Sequence, residues 1–379
     1  MNVNPRPARA PLFEKWEYIR QHYTRRQFED DLVIREEDAV AEVSPMGACR
    51  YYLDGNLFPE RALCDWRSFV MDMPTATGKH THQGGLVIFI LEGEGWSVID
   101  GVKETWKAGD LLLLPIRPGG VEHQFFNAVP GQPCRWLSAI HIPMFNQLGS
   151  EFTQQDYAAE YGVGSGAPEG WQSPAERAAE VSRGSTDDSP HGHSGTSVFS
   201  ASTGVTVFEN GSERLAALSK RNLFDEFLSI RDEQRAGWRL NGLTMVAGES
   251  LPWELNAFGR IKWFMHPLIF DTCIRTHIVY EMMLHPGERS GTIRHQGNSF
   301  CYVLAGRGKS TIDGVEWAWK AGDMIQLPAR PPGIELAHSV AFDEAEDARL
   351  ICFELNTVDQ VGVDRGCGYD VLESAVLID

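Results

Sequence analysis

The sequence predicts a mainly β protein, two small antiparallel barrels in tandem with a helical segment leading each. Three observations carry that expectation: an internal repeat, a dense series of short β-type runs punctuated by glycine, and a charged, helix-patterned stretch ahead of each copy.

The repeat is read first, because it sets the domain count. Residues 91–115 read LEGEGWSVIDGVKETWKAGDLLLLP and residues 304–328 read LAGRGKSTIDGVEWAWKAGDMIQLP, with 15 of 25 positions identical at a gapless offset of 213. GKHTHQGG (78–85) aligns with GTIRHQGN (291–298) at the same offset. Copies that far apart are two domains, not stacked solenoid units.

Within each copy, GLVIFILEGEG, WSVIDG, ETWKAGD and LLLLP are short strand-like runs. VIDG and TIDG read as hairpin turns in which Asp-Gly supplies the positive φ values, and KAGD as a further turn. LLLLP reads as a buried strand and PIRPGG as the turn after it. Many short antiparallel strands suggest a sandwich or small barrel. Helical pattern covers residues 12–38 and 212–237, for packing and oligomer contacts. Residues 164–204, rich in Gly, Ser, Pro and charge, read as a partly mobile linker. Its own pair, His191 and His193, reads as part of a solvated loop. The expected domains are therefore 1–163 and 205–379.

Composition narrows the partners. With 379 residues, 42% of them hydrophobic, the chain can bury two cores. A net charge of −18 repels nucleic acid and anionic membranes, leaving small molecules as the expected partner class. No apolar run approaches the ~20 residues of a membrane span, and the charged, aromatic N-terminus lacks a secretory core. Seven cysteines without a CxxC pair read as reduced thiols. A soluble, cytoplasmic homo-oligomer, dimer or tetramer, is expected.

The chemistry centres on HTH at 80–82. On a strand, alternate side chains share a face, so His80 and His82 project together about 6.6 Å apart along the chain. Paired imidazoles suit zinc, copper, iron or nickel, although an isolated HxH is more often a surface feature. His123, after the PIRPGG turn, is the candidate third ligand, which a small barrel could bring opposite the pair.

These residues resemble the cupin superfamily, whose motifs have the forms G-x5-HxH-x3/4-E-x6-G and G-x5-P-x-G-x2-H-x3-N. Gly93 closes the first, and Gly109, Asp110, Pro115, His123 and Asn127 follow the second. The resemblance implies tandem double-stranded β-helix, or jelly-roll, barrels. Two departures stand out. Leu86 and Val87 occupy the place of the motif's Glu, so the site is a three-histidine one, and Pro115 lies eight residues before His123 where the pattern has five. Tandem cupins with three histidines and a VEGEG-type signature resemble the gentisate 1,2-dioxygenase group. WLSAIHIPMFNQLGSEF resembles that group's segment leaving the first barrel. This implies Fe(II) held by His80, His82 and His123, an aromatic substrate and O2, and ring cleavage beside a hydroxyl, with the metal orienting both reactants.

Alternation from the histidines places Gly84, Leu86, Ile88 and Ile90 inward, and Phe125 after His123. These small and apolar groups suit an aromatic ligand better than a dicarboxylate. Gentisate-type enzymes typically carry Arg at the position of Ile88 and His at that of Phe125, so their replacement argues against a carboxylated substrate. Arg67 could supply a charge from another strand, or lie on the surface. Glu122 and Gln124 flank the third ligand and could orient imidazoles, though alternation turns them away. In the second copy Ile293 replaces the first histidine, leaving His295 and a candidate third ligand at His338, a barrel expected to serve stability rather than metal binding. Rival functions are a diketone- or thiol-oxidising cupin, a metal-dependent isomerase, and a non-catalytic binder of small ligands, since one fold hosts many chemistries.

Overall fold

The computed structural model describes residues 11–158, 161, 211–219 and 221–378. The expected linker, 164–204, with His191 and His193, falls wholly outside these residues. Among the described residues, no helix is long and apolar enough to cross a membrane.

The strands form four antiparallel sheets, two to a barrel. In the first barrel, a five-stranded sheet runs in the order Thr153–Gln154, His80–His82, Val121–Asn127, Glu94–Ile99, Val102–Lys107. It faces a seven-stranded sheet that includes Leu111–Leu113, Val87–Glu92, Arg135–His141 and Trp66–Asp72. The second barrel repeats this plan. Asp100 and Gly101 have φ of 48° and 80°, and Asp313 and Gly314 have 49° and 78°, the paired positive values of a type I′ hairpin turn.

The apolar run of Val87–Glu92 is continuous because both faces of that strand are buried. Ile88 and Ile90 face the first barrel's interior, while Val87 and Phe89 join a cluster shared with Phe264, Phe300 and Phe353 of the second barrel. Phe89 meets Phe264 edge-on at 5.6 Å, and Trp66 meets Phe300 at 5.2 Å. The two seven-stranded sheets thus back onto each other through a common core.

The halves also exchange strands. Val33–Ile34, inside the first expected helix, is a strand paired to Met324–Leu327 of the second barrel. Met245–Val246 pairs in return with Leu111–Leu113 of the first. Val33 and Val246 stand at the repeat's own offset of 213. The KAGD turns anchor both crossings. Buried Asp323 accepts from Arg35 (2.8 Å), Glu36 N–H (3.1 Å) and Lys320 N–H (3.0 Å). Asp110 accepts from Gly248 N–H (3.1 Å) and Lys107 N–H (2.9 Å).

The first helix is therefore shorter than expected, Leu12–Glu29, and leaves Leu12, Phe13 and Trp16 exposed. Residues 30–38 leave the helix because Leu32, Val33 and Ile34 bury their side chains in sheet pairing. The second helical stretch is two helices, Gly211–Leu218 and Leu223–Gln234, the latter capped by Asn222 accepting from Asp225 N–H.

Candidate metal centre

Antiparallel pairing of His80–His82 with Val121–Asn127 sets His123 directly across from His80, and Val121 across from His82. Strand alternation then turns all three imidazoles to one side. The longer Pro115–His123 spacing is absorbed in the turn, where Gly119 and Gly120 adopt φ of 80° and 89°. One candidate ligand atom from each of His80, His82 and His123 lies within 4.8 Å of the others.

Their protonation is set by the backbone. Nδ1–H of His80 donates to Gly78 C=O (2.9 Å), that of His82 to Gln83 C=O (2.7 Å) and that of His123 to Val121 C=O (3.0 Å). A carbonyl can only accept, so each Nδ1 carries the proton and each Nε2 keeps a lone pair. Burial, and then the neighbouring His82, pushes His80 down to about 3, and burial holds His123 well below the usual histidine range. Three neutral, buried imidazoles with free Nε2 lone pairs are the donor set a divalent transition metal takes. The orienting groups are these carbonyls. Glu122 is turned outward to an ion pair with Lys79 (2.8 Å), and Gln124 donates to Thr77 C=O.

The triad opens on a cavity of about 180 Å³. Leu86, Ile88 and Phe125 line it, and so does Arg67. Gly84 and Ile90, expected there from alternation, do not. A Cβ on Gly84 would sit 2.0 Å from Pro115 C=O, so that residue serves close strand approach, and Ile90 is sealed in the core. Arg67 Nε donates to buried Asp54 at 2.5 Å, so the cation arrives already paired. Asp54 also accepts from Asn56 and Leu57 N–H.

Sequence reasoning missed Tyr51, Asp54, Trp136, Phe145 and Phe152, all of which line the cavity. Phe152 lies 4.9 Å from the His80 ring and Phe145 5.6 Å from that of His82. Both belong to WLSAIHIPMFNQLGSEF, the one local signal that pointed toward them. The buried Trp136 indole N–H has no acceptor in the protein among the described residues.

A family model described as "Cupin domain" matches residues 69–140 and again 280–354, the two barrels just described. The chain is a bicupin. No curated protein matches its sequence. Among solved structures, this bicupin is similar to two variants of Bacillus subtilis oxalate decarboxylase. The first is 15% identical with a TM-score of 0.53, and the second 14% identical with a TM-score of 0.52; each covers 90% of this chain and 80% of the other. Salicylate 1,2-dioxygenase from Pseudoaminobacter salicylatoxidans is 17% identical over 76% of this chain and 68% of that one, with a TM-score of 0.42. At these identities the likeness is one of fold.

The second barrel of the bicupin does not repeat the triad. Ile293 pairs with Leu336, the places of His80 and His123, so His295 alone remains at a ligand position. His338, expected as a third ligand, stands two residues farther along the strand, at the position of Phe125. Its Nδ1 bonds Ser310 Oγ (2.8 Å), which accepts from Trp319 Nε1 (2.8 Å), a closed polar network in the core. Holding the gapless offset through the turn identifies Leu336 instead. Among the described residues no second cluster of potential ligands forms.

Proposed function

We propose that this bicupin is a non-haem Fe(II) dioxygenase that uses O2 to cleave a C–C bond of a hydroxylated aromatic compound, with His80, His82 and His123 as the metal ligands. The observation that carries the proposal is the set of three free Nε2 lone pairs at the wall of an aromatic-lined cavity, with no carboxylate among them. When bound there, Fe(II) would supply Lewis acidity and a route for electrons between substrate and O2.

The chain's own side chains do the rest. Three neutral ligands leave the metal's charge undiminished, which favours an ionised substrate hydroxyl over a neutral one. A cavity of about 180 Å³ is of the size that holds a single aromatic ring. Leu86, Ile88, Phe125 and the Trp136 side chain offer it apolar and aromatic contact. Phe145 and Phe152, against the imidazoles, limit the approach of water. Holding the ring against the triad is worth a large part of such a reaction's barrier, since positioning alone removes several kcal/mol.

Oxygen-electrode measurements on the anaerobically Fe(II)-loaded protein, with metal content verified, test the reading. O2 uptake with at least one mono- or dihydroxylated aromatic is expected. No uptake across catechols, hydroquinones and monohydroxybenzoates, with β-diketones as the comparison set, would exclude ring cleavage.

A further inference from the structure

The second barrel keeps a cavity of its own, about 370 Å³ against about 180 Å³ in the first. Phe258, Trp263, Tyr280 and Tyr369 form aromatic parts of its wall, and His295, Gln296 and Glu354 are among its polar side chains. Protein interiors pack closely, and a barrel needed only for stability would fill this space.

Three features of the polar groups point to an absent ligand. His295 Nδ1 accepts a hydrogen bond from Gly297 N–H at 3.1 Å. Its proton therefore sits on Nε2, the reverse of the three histidines in the first barrel, and burial keeps the ring neutral. An imidazole accepting at Nδ1 could coordinate through Nε2 only as an anion, so His295 offers a donor and not a ligand. Gln296 Oε1 is buried and, among the described residues, has no partner, whereas the equivalent Gln83 Oε1 accepts from Gly84 and Arg117 N–H. Finally, among the described residues the largely buried Glu354 carboxylate has only long contacts, 3.5 Å from Tyr280 Oη and 3.4 Å from Arg365. A buried carboxylate held this loosely has room for a closer donor.

We propose that the C-terminal barrel binds, without a metal, an uncharged hydroxylated aromatic molecule of one or two fused rings. Its hydroxyl accepts from His295 Nε2–H and donates to Glu354, and its ring packs against the aromatic wall. Arg365 balances the charge of Glu354, so the site as a whole is neutral, which selects an uncharged ligand. This assignment is independent of the chemistry in the first barrel, because it is read by binding and not by turnover.

The test is ¹³C-methyl NMR of chelator-treated protein titrated with 2-naphthol. Ile278 and Val358 line the second cavity and report its occupancy; Ile88 reports the first. The Ile278 and Val358 methyls should shift along one saturating curve that His82→Ala leaves unchanged. Val363→Trp, at an exposed position of the lining, should abolish it. His295→Phe and Glu354→Gln should each weaken binding by roughly tenfold or more, the cost of a lost hydrogen bond to a buried or charged partner. Absence of a saturable shift at Ile278 and Val358 would overturn the proposal. So would a curve unaltered in His295→Phe and Glu354→Gln, which would reduce the cavity to an unspecific apolar space.

Discussion

At the level of single residues, the contrast between the two barrels turns on where a proton sits. Carbonyl acceptors at Gly78, Gln83 and Val121 fix Nδ1–H in three histidines and free Nε2 for a metal. The histidines were legible in the sequence, because an HxH on a strand and a histidine after the following turn share one face by simple alternation. Arg67 and Asp54 were not, since their pairing depends on how separate segments meet. On the proposed function, that pair would set the preferred substrate charge. With Arg67 held by Asp54, an uncharged catechol or hydroquinone should be turned over with higher kcat/KM than gentisate. Asp54→Asn, which keeps the acceptor for the backbone N–H groups, should shift that ratio toward gentisate by about tenfold, the value of one charge-assisted hydrogen bond. Parallel kinetics on the two substrates check it, and a wild-type preference for gentisate would mean that the pair does not neutralise the cavity.

Among the elements, turns and hydrophobic runs were legible because their chemistry is local: Asp-Gly dictates the hairpins, and LLLLP can only be buried. The exchanged strands were hidden. Each is two residues long, too short for a periodic signal, and Val33–Ile34 lies in a stretch whose charged residues otherwise favour helix. Tertiary pairing overrides that propensity. Asp323 is the anchor of this crossing, and Asp323→Ala strands two backbone N–H groups and leaves Arg35 only its bond to Ala318 C=O among the described residues. A loss on the order of 2 to 3 kcal/mol is expected in urea denaturation, with the ion-pair share small because Arg35 is partly exposed. Asp323→Asn should recover part of it. A loss below about 0.5 kcal/mol would show that the crossing strand is held by its apolar contacts alone.

For the whole molecule, the repeat made both barrels readable, and Ile293 in place of the first histidine set the second apart from the first. His338 looked like a ligand by type, but the gapless offset sets it at the position of Phe125, and its bond to Ser310 gives it a core role. The buried histidines also set the pH response. Burial lowers His80 and His277 to about 3 and His338 to about 4. Unfolded histidines titrate near 6.5, so below that pH the unfolded chain takes up protons that the fold refuses. Stability of the metal-free protein is therefore fully present above about pH 6.5 and falls as pH drops toward the folded values. Each such histidine contributes a slope of about 1.4 kcal/mol per pH unit within that window. Urea midpoints at pH 7, 6 and 5, where most carboxylates remain ionised, should fall steeply; a flat profile would mean that the imidazoles are charged in the folded state.

The central claim is a single three-imidazole metal centre, confined to the first barrel. Elemental analysis of the Fe(II)-loaded wild type, His82→Ala and His295→Gln, each verified as folded, tests it most directly. One equivalent per chain is expected in the wild type and in His295→Gln, and little or none in His82→Ala. Two equivalents in the wild type, or metal lost from His295→Gln and retained in His82→Ala, would contradict it.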